Sequence, residues 1–176
     1  MYTKRVILGL IAAGLIAGTS VLLSNQVYAQ DVEGKVKTSM AALKSKAEKT
    51  GPVKVEGTDT AAGKTVPAIF FGSTKQNNHF DLVDEVVKEN GGSATIFVKS
   101  GDEYVRVATN VKKDDGSRAT GTILDPNGKA IVAIREGKPF YGEVTILEKP
   151  YVTGYEPIRD ASNNVIGIYF VGYMKQ

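Results

Sequence analysis

The sequence contains no cysteine and a single histidine. The absence of cysteine excludes disulfides, thiolate metal sites, a cysteine nucleophile and a covalently attached c-type haem. The one histidine, His79, has no suitably spaced carboxylates around it, so we expect it on the surface and expect no metal site. Neither a Gly-x-Ser-x-Gly motif nor a glycine-rich phosphate loop is present. We therefore expect no enzyme and no cofactor, and a hydrolase that uses carboxylates is the least supported alternative.

An excess of charge of one sign is also missing. The 176 residues include 22 Lys and Arg against 19 Asp and Glu. Lys4 and Arg5 precede the first acidic residue, Asp31, and without them the balance is 20 against 19. Nucleic-acid binding requires a concentrated basic face, whereas these charges are mixed throughout, so we expect no nucleic-acid partner. A hydrophobic content of 42% is ordinary for one globular domain.

The N-terminus has the pattern of an export signal. Lys4 and Arg5 precede the uncharged apolar run Val6–Leu23, and Ala29 ends a small-residue cleavage motif. We predict a signal peptide over residues 1–29, cleaved after Ala29, and a single domain over residues 30–176 that is periplasmic or secreted. Because the run approaches the ~18 residues of a spanning helix, an uncleaved N-terminal membrane anchor is the alternative.

Helical periodicity recurs in three places. Apolar residues spaced for one face predict an amphipathic helix over Asp31–Lys49, and a second helix begins near Phe80, capped by Asn78 or Asp81 and ended by Gly91. Asp125 and Pro126 predict the N-cap and first position of a short third helix.

The remaining segments alternate in the way of strands. Val53–Gly63 is interpreted as a loop, with a short strand within it as the alternative, and Thr65–Phe71 as a strand. Five further strands are predicted at Ala94–Val98, Tyr104–Val111, Phe140–Leu147, Tyr151–Ile158 and Val165–Tyr173. The order predicts an α+β fold, with an antiparallel sheet of about five strands, a long N-terminal helix and short helices packed on the sheet.

Six segments in a fixed order carry a family resemblance. They are FDLVD (80–84), GGSATIFV (91–98), YVRVATNV (104–111), DGSRATGT (115–122), YVTGYEPI (151–158) and VIGIYFVG (165–172). Over about residues 67–172 the chain resembles a Cache domain of the Cache 3/Cache 2 fusion type. The resemblance implies a PAS-like sensor module of the kind found outside the membrane in chemoreceptors and sensor kinases. Such modules hold small ligands, often carboxylates or amino acids, between the sheet and its pocket loops.

The resemblance shapes the expected role. The chain ends at Gln176, after the last predicted strand and without a second apolar span. We therefore expect a free-standing ligand-binding module in signal sensing, such as chemotaxis, that passes its signal to a membrane receptor or kinase. A homodimer through the N-terminal helix is a further expectation. The alternative is a ligand-free structural module that docks onto a membrane partner.

Four polar residues are candidate ligand-binding residues: Arg106, Thr109, Asn110 and Arg118. Simple alternation places Arg106, Ala108 and Asn110 on one face of their strand. Arg106 can grip a carboxylate through two hydrogen bonds, and Arg118, in a loop with nearby glycines, can close over the ligand. The alternative for Arg106 is a salt bridge to a nearby acidic residue.

Three tyrosines complete the candidate site. Tyr151 and Tyr155 share a strand face, and we expect Tyr141 across from them. A tyrosine suits a binding pocket because its ring packs while its hydroxyl forms hydrogen bonds. Ordinary cross-strand packing is the alternative. The family resemblance favours the pocket for Tyr151 and Tyr155, and packing is favoured for Tyr141.

Overall fold

The computed structural model describes the backbone of residues 16–175 and the side chains of residues 31–175. Lys4, Arg5 and the rest of the first part of the predicted export signal, residues 1–15, lie outside the described residues. The chain divides into two compact units, Met1–Asp31 and Val32–Gln176. Both sheets belong to the second unit. Three helices are present among the described residues: α1 (Ile16–Thr50), α2 (Asp81–Asn90) and α3 (Lys129–Arg135).

Eight strands form two antiparallel sheets within the described part of the chain. Their bounds are β1 (Val53–Ala61), β2 (Lys64–Phe71), β3 (Thr74–Lys75), β4 (Ser93–Ser100), β5 (Glu103–Thr109), β6 (Phe140–Ile146), β7 (Lys149–Arg159) and β8 (Val165–Met174). The smaller sheet has the order β1-β2-β3, and the larger has the order β5-β4-β8-β7-β6. The predicted α+β class and the five-stranded antiparallel sheet are confirmed.

The interpretation of Val53–Gly63 as a loop was wrong. Val53–Ala61 is a nine-residue strand that forms a hairpin with β2, closed by Ala62 and Gly63, both at positive φ. The strand is exposed along most of its length, so it carries no apolar alternation that a sequence pattern could reveal.

Two predicted helix caps were also wrong. The third helix begins at Lys129 with Gly128 as N-cap, because the Asp125 carboxylate accepts a hydrogen bond from the Asn127 N–H and forms a turn instead. The second helix has Phe80 as N-cap, with no side-chain cap. Gly91 ends that helix as predicted.

One face of the larger sheet belongs to the core that includes α1 and α2. The predicted amphipathic pattern is confirmed, since all five of its apolar residues are buried: Val32, Val36, Met40, Leu43 and Ala47. Val83 and Val86 of α2 join the same core. Full burial of a side chain such as Leu43 contributes roughly 2–3 kcal/mol.

The opposite face of the larger sheet packs against α3 and the segment before it. Phe97 and Phe170 on the sheet meet Leu124 and, on α3, Ile131 and Ile134. Of the two short helices, therefore, α3 covers this face, whereas α2 belongs to the other.

The outer edge of β5 is covered by the segment that precedes α3. Arg106 N–H donates to the Thr122 carbonyl, and Gly121 N–H donates to the Arg106 carbonyl. Leu124 N–H donates in the same way to the Tyr104 carbonyl. These bonds satisfy backbone groups that an edge strand otherwise leaves open. They also hold the segment against the sheet at the level of Arg106.

Gly34 offers a simple test of α1 in the second unit. A Cβ added at Gly34 meets no atom within 4 Å, and the residue lies exposed inside the helix. Because alanine restricts the unfolded chain and favours helix, Gly34→Ala is expected to raise the free energy of unfolding by about 0.5–1 kcal/mol. Urea unfolding followed by circular dichroism measures the change. A lower free energy of unfolding for the variant would contradict the placement of Gly34 on the solvent-exposed face of α1.

Candidate functional site

A cavity of about 430 Å³ lies between the larger sheet and the segment that leads into α3. Residues 122–125 and 128–130 form one side, and residues 143–147 of β6 and its turn form the other. Arg106 and Tyr155 reach it from the sheet. A cavity of this volume falls within the range of small-molecule sites.

Arg106 is the unusual residue of this cavity. Its side chain is buried, with 5% of its surface exposed. Nη1 donates to Thr122 Oγ1 at 2.8 Å and makes a longer contact of 3.4 Å with the Ile123 carbonyl. The guanidinium lies 4.8 Å from the centroid of the Phe97 ring. Neutral groups thus hold Arg106 in place without cancelling its charge.

No acidic side chain among residues 31–175 forms an ion pair with Arg106, and its Nε is buried without a hydrogen-bond partner. The predicted alternative, a salt bridge to a nearby acid, is therefore absent from the described part of the chain. Burial lowers the pKa of Arg106, because desolvation disfavours the charged form. A buried, unpaired cation is costly, and an incoming anion offsets that cost.

The strand faces around Arg106 differ from simple alternation. A β-bulge leaves Val107 between the pairs Arg106–Phe97 and Ala108–Ile96. The extra residue shifts the register by one, so Ala108 joins Val105 and Val107 in the other core. The prediction that Arg106 and Ala108 share a face was wrong for this reason.

Aromatic rings surround the buried part of the site. Tyr155 is almost fully buried, and its ring lies 4.9 Å from that of Phe170 and 6.2 Å from that of Phe140. Burial raises the pKa of Tyr155, with Arg106 lowering it and Asp125 raising it. The hydroxyl therefore stays protonated at physiological pH and is available as a hydrogen-bond donor.

Tyr151 is a buried neighbour of the cavity rather than part of its lining. Its side chain packs in the same cluster as Tyr155. Its hydroxyl is close enough to Arg106 to raise the pKa of the guanidinium. The structure thus brings three of the predicted site residues together: Arg106 and Tyr155 in the lining and Tyr151 behind it.

Tyr141 lies on the opposite side of the sheet. Its hydroxyl donates to Glu156 Oε1, and Lys44 of α1 donates to Glu156 Oε2 at 2.6 Å. Burial and the neighbouring Glu156 raise the pKa of Tyr141. This network connects α1 to β7, so Tyr141 is not brought to the cavity near Arg106.

Thr109 and Asn110 secure the ends of β4 and β5. The hydroxyls of Thr109 and Thr95 share a hydrogen bond of 2.6 Å, fully buried. Asn110 Oδ1 accepts from the Ala94 N–H, and its amide donates to the Gly92 carbonyl. Asn110 thus bonds only to backbone groups, Thr109 bonds to Thr95 and to the Val111 N–H, and neither residue lines the cavity.

Arg118, like Thr109 and Asn110, has its polar groups bonded to other parts of the protein. Its two terminal nitrogens each lie 2.7 Å from a carboxylate oxygen of Asp84, and Nη1 also donates to the Thr109 carbonyl. The guanidinium stacks 4.3 Å from the centroid of the Phe80 ring. Arg118 therefore anchors its loop to α2 and does not line the cavity.

The sequence patterns missed three charged residues of the cavity, Asp125, Lys129 and Glu143. Asp125 was interpreted only as a helix cap. Lys129 and Glu143 lie in segments that were predicted from their apolar residues alone. No sequence pattern indicated that these two charged side chains line a cavity. Glu143 is paired with Lys175 at 2.7 Å.

The comparison with protein families decides the classification. The Cache 3/Cache 2 fusion domain matches residues 17–176. The chain belongs to this family. Cache domains are sensor-type, ligand-binding modules outside the cytoplasm, and as a family they are non-catalytic. No curated protein matches the chain.

Two structural findings accompany the Cache assignment. Among residues 16–175, no helix is long and apolar enough to cross a membrane. Within the described residues, no cluster of three or more His, Cys, Asp or Glu side chains is placed to hold a metal ion.

Proposed function

We propose that this Cache domain binds a small carboxylate in the cavity between the larger sheet and α3, with Arg106 as the principal ligand-binding residue. The observation that carries the proposal is the buried guanidinium with an unpartnered Nε and no acidic partner in the described chain. A carboxylate can accept two hydrogen bonds from a guanidinium, so it would supply both the missing charge and the missing acceptor.

The remaining lining favours a ligand with a small apolar body. The Tyr155 hydroxyl supplies a donor beside Arg106, and Val144 and Ile146 of β6 line the opposite side. Asp125 lies exposed at the same cavity. Its carboxylate is available to an ammonium group, so the cavity also suits an amino-acid-like ligand.

The wider role is part of the same proposal. Residues 1–29 act as a signal peptide cleaved after Ala29, and residues 30–176 act as a single periplasmic or secreted sensor domain. Ligand binding is passed to a membrane receptor or kinase, as in chemotaxis, and the homodimer through α1 remains a prediction. Intact mass of the exported protein tests the cleavage, since an uncleaved anchor would keep the mass of the full chain.

A thermal-shift screen tests the binding proposal. Small carboxylic acids and amino acids are compared with their neutral amides or esters, which keep the shape but remove the charge. A ligand present at 100 times its Kd should stabilise the protein by about 2.7 kcal/mol, a rise in melting temperature of roughly 5–10 °C. The neutral analogues should give no rise.

The screen has two contradicting outcomes. A rise that is equal for acids and neutral analogues would contradict recognition of the carboxylate by Arg106. A flat response across the library would favour a ligand-free module that docks onto a membrane partner.

A further inference from the structure

A second cleft, of about 490 Å³, lies at the C-terminal end of α3, where that helix meets the β4–β5 and β7–β8 turns. Its lining shares no residue with the Arg106 cavity. Lys99, Arg135 and Arg159 contribute three cations to it, and Asp102 and Glu136 contribute two carboxylates. The cleft therefore carries an excess of positive charge.

The positive excess is larger than this count suggests, because one of the carboxylates is paired and, within the described chain, the three cations are not. Glu136 accepts from Lys138 at 2.9 Å, so its charge is already offset. Arg159 donates to the backbone carbonyls of Asn163 and Gly137, which fixes the guanidinium without neutralising it. Lys99 and Arg135 form no ion pair with any other residue in the range 31–175 and are exposed to solvent.

Tyr104 contributes a phenol hydroxyl to the cleft, carried on a largely buried ring. Its side chain is 3% exposed and lines the cleft. Burial raises the pKa of its hydroxyl, the Arg135 charge opposes that rise, and no hydrogen bond contributes. The hydroxyl forms no hydrogen bond with any of the described residues, so it is free to donate to a group bound in the cleft.

We propose that this cleft is a second binding site, one that takes a small tetrahedral oxyanion such as phosphate, sulfate or a phosphomonoester group. Arg159 is held as a rigid donor, Lys99 and Arg135 close on the anion from solvent, and the Tyr104 hydroxyl donates from the floor. Guanidinium and ammonium groups together match the several acceptor oxygens of such an anion. The site is independent of the proposed carboxylate cavity.

Isothermal titration of the full chain with inorganic phosphate, sulfate and glycerol phosphate, at constant ionic strength set with chloride, tests the site. Saturable binding with one anion per chain is expected. The double variant Lys99→Gln/Arg135→Gln should weaken binding at least about tenfold. Tyr104→Phe keeps the buried ring and should weaken binding about threefold to tenfold.

Two controls separate this site from general charge effects and from the first cavity. Lys88→Gln removes an exposed cation of α2 outside the lining, and Arg106→Met alters only the other cavity. Both should bind phosphate like the unaltered protein. Weak, non-saturable heats that chloride reproduces, or full binding by the double variant, would overturn the proposal. Preference for glycerol phosphate over phosphate would assign the site to a phosphorylated metabolite.

Discussion

Arg106→Met is expected to stabilise the ligand-free protein and to abolish its response to carboxylates. Methionine fills a similar volume and removes a buried cation that has no acidic partner among the described residues. Replacing a poorly compensated buried charge with an apolar side chain is often stabilising, here by about 1 kcal/mol or a melting-temperature rise of roughly 2–4 °C. The carboxylate-induced rise should disappear, because its charge partner is gone. Differential scanning calorimetry with and without ligand measures both.

Arg118→Met is the matched control for this result. Arg118 is half-buried and bound to Asp84 and to the Phe80 ring. Its loss should destabilise the protein by about 1 kcal/mol, while the response to carboxylates is retained. If Arg106→Met were the destabilising variant, or kept the carboxylate response, Arg106 would be a structural residue like Arg118.

Gly167→Ala is expected to be the most destabilising single change considered. Gly167 lies on β8, between β4 and β7, and an added Cβ would stand 2.4 Å from the Phe97 carbonyl oxygen. It would also approach Ile69 and Ile158 within 3.3 Å. Because the first of these atoms is backbone, neither strand can yield without breaking the sheet. We expect a loss of at least about 3 kcal/mol, measured by urea unfolding.

Gly142→Ala provides the comparison on the edge strand β6. Its added Cβ would meet the Phe140 ring at 3.1 Å, and that partly exposed side chain can move. A loss below about 1 kcal/mol is expected. Equal losses for the two variants would contradict the close contact between β8 and β4.

The sequence predicted most of the larger sheet and the buried face of α1, because both follow strong apolar periodicity. Val36, Met40 and Leu43 are buried as their spacing predicts. The β1 strand was missed because exposure on both faces leaves a hairpin strand without such a pattern. The resemblance to Cache domains supplied the fold that periodicity alone left open, and the family match confirms it.

The candidate site was only partly predictable, since the same residue type can serve as a ligand group or as a structural anchor. Arg106 and Arg118 look alike in sequence, yet only Arg118 meets a carboxylate, supplied by Asp84, which lies 34 positions earlier in the chain. The bulge at Val107 changes which residues lie beside Arg106, and no sequence pattern predicts this bulge. Long-range pairing and a register shift thus decided which arginine faces the cavity.

A crystal structure of the exported protein, purified without refolding and grown with the strongest carboxylate from the screen, tests the central claim most directly. The account predicts density for the ligand in the cavity between the larger sheet and α3, with its carboxylate within hydrogen-bond distance of the Arg106 guanidinium and the Tyr155 hydroxyl. A ligand bound elsewhere, or a cavity closed by an acidic side chain paired with Arg106, would contradict it.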